Sequence, residues 1–273
     1  MAVASKFLSA GAVVPWARAG VGAVATQSHA NTSYGPDGLD LLASGLPPQT
    51  VIDRLTEADP DAAKRQVGIV DMQGGAATFS GTGCFPWFGG LTAEHVAVQG
   101  NILVSEATVT AMLEAFQMTG GALSRRLLAA LKAGDRAGGD RRGKQSAALL
   151  VVKPAGGYGG LNDRYLDLRV DDHPHPVDEL ERLIGLWRLY FEKPAEQDLV
   201  AIDDRLAQEL RDGLRRLGYD PGANGEPWND RARQAFTAFS EMENLEDRLR
   251  PDGRTDREVL AYFREKLASL GSA

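Results

Sequence analysis

A chain of 273 residues, 43% hydrophobic and 25% charged, can bury a sizeable core and has room for two domains. Its net charge of -7, with arginines interleaved among acids, argues against a nucleic-acid footprint. Cys84 is the only cysteine, so an internal disulfide and a thiolate metal site are both excluded, and no apolar run reaches bilayer-spanning length.

The chain begins inside an apolar, glycine-studded run over 1–27 that reads as buried strand carrying Ser5 and Lys6. A secretory signal needs a basic front and an unbroken apolar stretch, and Pro15 and Arg18 break this one. The expected location is therefore cytoplasmic.

Strands are predicted over 1–5 and 20–27, and helices over 37–44 and 48–58. A hairpin follows, with 66–71 and 76–80 flanking Gln73, Gly74 and Gly75, whose glycines can take positive φ. Beyond an aromatic loop at 84–88 come a strand at 95–99, helices over 107–118 and 124–133, strands over 146–152 and 165–170, and a helix over 177–191. Pro194 marks a boundary between domains of 1–192 and 194–273. Paired strands alternating with paired helices suit an α+β domain of helices packed on antiparallel sheets. Apolar strands need cover on both faces, which a four-layer αββα sandwich supplies.

No nucleotide or triad signature stands out, and His173 and His175 read as a solvent-facing loop, so neither metal nor cofactor is expected. The stretch GGDRRGKQSA at 138–147 is more informative, since a loop dense in charge runs straight into an apolar strand. Asp140, Arg141, Gln145 and Ser146 at the strand mouth can hold an anionic or amide substrate, or Asp and Arg can merely pair within a glycine turn. Gln99 and Asn101 offer an amide pair that serves the same pocket or braces a turn.

These segments together, VASKF at 3–7, VPWARAGVGAVATQ at 14–27, YGPDGL at 34–39, QGN at 99–101 and the 138–147 loop, resemble the bacterial family catalogued as domain of unknown function 1028 over nearly all of 1–186. That family resembles N-terminal-nucleophile (Ntn) hydrolases, whose fold is the four-layer αββα sandwich. The resemblance implies a Thr, Ser or Cys at the mature terminus that attacks an amide carbonyl with its own α-amino group as base. It also implies a strand ahead of the one bearing Ser5 and Lys6; here Met1 stands where the family has Val, and a misplaced start is the expectation. On this reading Lys6 stabilises developing charge, Ser5 hydrogen-bonds the nucleophile's amine, and Asp140 completes the catalytic set. Gln27, Asn101, Arg141, Gln145 and Ser146 contact a small amide-containing substrate.

In the tail, Leu199, Ile202, Leu206, Leu210, Leu214 and Leu217 recur at helical spacing, and further helices are predicted over 230–242 and 256–270, forming a small all-α domain. The pattern LxxxLxxLGY at 210–219 followed by AFxxF at 235–239 resembles peptidoglycan-binding-like domains, although Asn229 to Ala232 replaces their usual Asp-x-x-Thr. The resemblance implies a cell-wall glycan or peptide partner. A dimerisation or docking appendage is the competing reading, with a second copy of the chain as partner. Two function classes follow: an amide-bond hydrolase of the Ntn type whose nucleophile strand is missing from this chain, and a non-catalytic ligand- or cell-wall-binding protein on the same scaffold.

Overall fold

The computed structural model describes residues 1–270 and divides after Leu183 into two compact units. It is a mixed α/β protein with several antiparallel sheets, followed by a mainly helical region.

The first unit opens with β1 (Ala2–Ser5), a short α1 (Ala10–Val13), β2 (Pro15–Arg18) and β3 (Gly22–Gln27). The segment expected as one strand from Gly20 is thus the end of a hairpin: β2 pairs with β3, and Gly20 turns between them at φ +74°. Pro15 hides β2 from sequence reading, but it sits at the first position of a sheet-edge strand, where no amide hydrogen is required.

Helices α2 (Tyr34–Ala43) and α3 (Pro48–Glu57) follow, then the hairpin β4 (Gln66–Asp71) and β5 (Ala76–Ser80). Strands β2 to β5 make one antiparallel sheet in sequence order. Val24, Val67 and Ile69 from this sheet are buried with Leu39, Leu42, Val51, Ile52 and Leu55 from the two helices. Each such side chain contributes roughly 1.5–3 kcal/mol by leaving water. Gly35 permits the close approach, since a Cβ there would stand 2.2 Å from the Trp16 ring.

The next hairpin, β6 (Gly89–Ala93) and β7 (Val96–Gly100), carries a strand the sequence reading missed because its Gly-Gly start lacks strand propensity. Its turn is tight, with His95 at φ +64°. Helices α4 (Ala107–Met118) and α5 (Leu123–Arg136) pair and bury Val109, Phe116 and Ala130 with Val96 and Val98.

Strands β8 (Ser146–Val152) and β9 (Arg164–Val170) complete a second sheet in the order β1, β8, β9. Ala2 to Ser5 register against Leu149 to Ser146, so β1 pairs on one side only. Helix α6 (Pro176–Phe191) then runs across the division between the units.

In the second unit, Leu199 lies in β10 (Leu199–Ala201) and Ile202 precedes the helix, correcting the continuous helical stripe expected there. Helix α7 (Asp204–Arg216) starts late because the Asp203 carboxylate accepts a hydrogen bond from the Leu206 amide and caps it. Asn229 caps α8 (Asp230–Met242) in the same way. Then β11 (Arg254–Asp256) pairs with β10, and Asp256 caps α9 (Arg257–Ser269). Leu210, Leu214, Phe236, Phe239 and Phe263 form the core, with Phe239 and Phe263 edge-on at 5.1 Å. Gly213 makes room for the Phe263 ring, which a Cβ there would meet at 2.4 Å.

Candidate functional site

A cavity of about 1240 Å³ opens in the first unit, lined by β1, the ends of β3 and β7, the middle of β4, and the 139–144 loop. Ligand pockets run to about 1,000 Å³, so this space exceeds what one small molecule fills. One wall is the β1 strand, and its sequence explains an oddity there. All but the last of its four residues are apolar, as in a covered strand, yet Ala2 and Val3 are only half-buried and Ala4 is exposed.

Gln27, Gln99 and Asn101 also line the cavity, and the first and last of them belong to a cluster of amides built around Gln66. Its position at the start of β4 buries it completely, so each of its hydrogen-bonding groups needs a protein partner. The Gln66 amide nitrogen donates to Ser80 Oγ at 2.7 Å and to the Gly100 carbonyl at 2.8 Å. Its oxygen accepts from Gln27 Nε2 at 2.8 Å and from Asn101 Nδ2 at 3.1 Å. Gln27 and Asn101, at the ends of β3 and β7, thereby meet on the cavity wall although 74 positions separate them in sequence. Gln99 lies on the same wall and rests over Gly68 of β4, where a Cβ would stand 2.2 Å from its Oε1.

A second network, which sequence reading did not find, fixes the rim. Arg65 donates to Asp59 at 2.8 Å and to the His29 carbonyl, while Tyr34 Oη and Asn31 Nδ2 also donate to Asp59. Hydrogen bonding from Arg65 holds the Asp59 carboxyl well below the usual carboxylate range. Burial, with Asp59 beside it, pushes the Tyr34 phenol above its ordinary value. This network braces the loop in which Ser28 and His29 keep left-handed backbone, at φ +57° and +50°, on the cavity wall. No spacing rule links Arg65 to Asp59 and His29 in advance; only the chain reversal brings them together.

The loop at 138–147 takes the paired form. Asp140 is gripped by Arg142, not Arg141: Nε donates to Oδ1 at 3.0 Å and Nη2 to Oδ2 at 2.6 Å, and the backbone amides of Arg142 and Lys6 add two more bonds. Burial opposes ionisation of Asp140, but these donors outweigh it and hold the carboxyl below its ordinary value. Both oxygens are engaged, and through the Lys6 amide Asp140 ties the loop to the residue that follows β1. Ser146, expected at the substrate, is fully buried; its hydroxyl donates to the Phe7 carbonyl and accepts from the Ala10 amide, tying the 5–10 segment to β8. Gln145 donates to Asp172, and Arg141 is exposed with its backbone amide bonded to Ile102.

Of the residues singled out from sequence, Ser5, Gln27, Asn101 and Asp140 line the cavity, whereas Lys6, Arg141, Gln145 and Ser146 lie off its wall. The Lys6 side chain is exposed. Among the described residues no group of three or more His, Cys, Asp or Glu side chains could hold a metal ion, and no helix is long and apolar enough to cross a membrane.

Comparison with known proteins bears on both units. No curated protein matches the chain. Residues 190–263 match the family model described as "Putative peptidoglycan binding domain". The crystal structure of protein SPO2555 from Silicibacter pomeroyi, itself assigned to DUF1028, is similar with a TM-score of 0.62 and 32% identity, over 68% of this chain and 82% of that one. Residues 1–180 match the model described as "Family of unknown function (DUF1028)", and with two thirds of its length so covered the chain belongs to that family.

Proposed function

We propose that the first unit is an amide-bond hydrolase of the N-terminal-nucleophile type on a four-layer αββα scaffold, acting on a small substrate in the cavity described above. The observation that carries this reading is the free edge of β1. Unpaired backbone on an apolar strand is costly to leave open, and the space beside it is larger than one ligand needs. A further strand on that edge, starting with Thr, Ser or Cys, would bring a nucleophile and its α-amino base to the cavity that Ser5, Gln27 and Asn101 line. Sheets β2 to β5 and β1, β8, β9, with α2 and α3 on one and α5 against the other, agree with such layering.

A second reading is favoured by a specific feature: the wall hydroxyls Ser28 and Thr108 have no hydrogen-bond partner, so neither is activated by a base. A binding protein uses such a cavity without a nucleophile, and the second unit would direct it to cell-wall glycan or peptide. N-terminal mass spectrometry of the native protein, joined to an assay of amine release from small amides, separates the readings. The hydrolase reading expects a native terminus of Thr, Ser or Cys and measurable release. A native terminus at Met1 with no release overturns it, and retention of the full chain on purified cell wall then supports the binder.

A further inference from the structure

The hydrogen-bond network around Gln66 decides what kind of ligand the cavity can take. Side-chain amides can be flipped, so their orientation has to be argued from their partners. Gly100 contributes a backbone carbonyl, which only accepts, so the Gln66 group facing it must be the NH₂. The Gln66 oxygen therefore faces Gln27 and Asn101, and both must present NH₂ to it. Their carbonyl oxygens are then turned away from Gln66, have no partner among the described residues, and belong to residues on the cavity wall.

Gln99 packs differently: its side-chain amide has no protein partner to fix its orientation, and its Oε1 is enclosed against Gly68. Of the cations on the wall, Arg18, Arg142 and Lys144 pair with Asp40, Asp140 and Asp135, whereas Arg126 donates to the Phe116 carbonyl and Lys153 lies over the Tyr165 ring. At the amide cluster itself a carboxylate ligand would meet side-chain carbonyl oxygens, which repel it.

We propose that this cavity recognises neutral ligands presenting N–H donors, a urea or a carboxamide, through the side-chain carbonyl oxygens of Gln27 and Asn101. The inference rests on the cavity being the substrate site of the proposed function and names the substrate class.

Its test is binding, not turnover. 2-Imidazolidinone and 1,3-dimethyl-2-imidazolidinone share one ring and carbonyl and differ in the two N–H donors, and glutarate supplies a compact carboxylate. In ligand-observed NMR titrations of the full chain, the unmethylated ring should bind at least about tenfold more tightly than the dimethyl ring, with glutarate weaker still. Asn101→Leu should reduce that preference to near unity, with thermal unfolding showing that the variant is folded, and Gln27→Leu should do the same. Equal binding of the two rings, no binding of either, preferential binding of glutarate, or an unchanged preference in folded Asn101→Leu or Gln27→Leu overturns the proposal. A chain that hydrolyses no amide yet discriminates the rings defeats only the hydrolase reading. One that hydrolyses amides but ignores N-methylation defeats only this one.

Discussion

Gln66 and Asp140 illustrate how a residue's surroundings fix its role. Both are polar and each has its groups engaged by neighbours: Gln66 orients Gln27 and Asn101, and Asp140 holds the 138–147 loop to the backbone of Lys6. The Met1 amine is the opposite case, a charged group badly placed. Met1 as a residue is half-buried, but its amine is enclosed, donates to the Leu150 carbonyl, and has its pKa lowered by burial from 8.0 to about 5. Between these values the unfolded chain binds a proton that the folded chain does not, so stability rises with pH across that window. The contribution is fully present above about pH 8 and is lost as pH falls to about 5. Urea denaturation of the chain with a free amine at Met1 should lose a few kcal/mol over this interval, and a chain in which that nitrogen is part of a peptide bond should lose this slope.

At the scale of elements, the sheets and their helices are joined through small residues that allow close contact. Gly35 in α2 faces the Trp16 ring on β2, and the indole nitrogen is held by the Val13 carbonyl at 3.0 Å, so the ring has little freedom to retreat. Gly35→Ala would gain helix propensity and on an exposed helix would stabilise. Here the overlap dominates, and we expect a loss of roughly 1–3 kcal/mol, read as a lower midpoint in chemical denaturation. A raised midpoint would show that β2 moves away from α2 at little cost. Caps act in the same register of evidence: α7 begins at Asp204 because Asp203 can satisfy its first amides, although leucine periodicity extends further back.

For the molecule as a whole, the two units have separate cores, one built on sheets and one on an aromatic cluster of helices. Separate cores need not unfold together. Calorimetry should resolve two transitions, and Phe263→Ala, which empties the centre of the aromatic cluster, should destabilise only one of them by about 3–5 kcal/mol. A single transition that shifts as one would show the units to be energetically coupled.

What the sequence could determine is local. Strand and helix runs such as β4, β5, β8, α4 and the Asn229-capped α8 follow from apolar runs, helical spacing and glycine turns. Family membership of the first unit follows as well, because glycine-rich segments and polar loops at fixed positions carry it. The weak strands β2, β6, β10 and β11 escaped because proline, glycine or brevity hides them until a partner strand supplies their hydrogen bonds. The candidate site was legible only in part. Ser5, Gln27, Asn101 and Asp140 were legible as polar groups at strand ends, but which of them meets a cavity and which braces a turn depends on contacts between segments far apart in the chain. Ser146 looks like a mouth residue in one dimension and is a buried brace in three, and the orientation of Gln27 and Asn101 is set by a single buried amide that no spacing predicts. Local periodicity is written in neighbouring residues, whereas a hydrogen-bonding partner is chosen by the fold, and only the tertiary structure decides it.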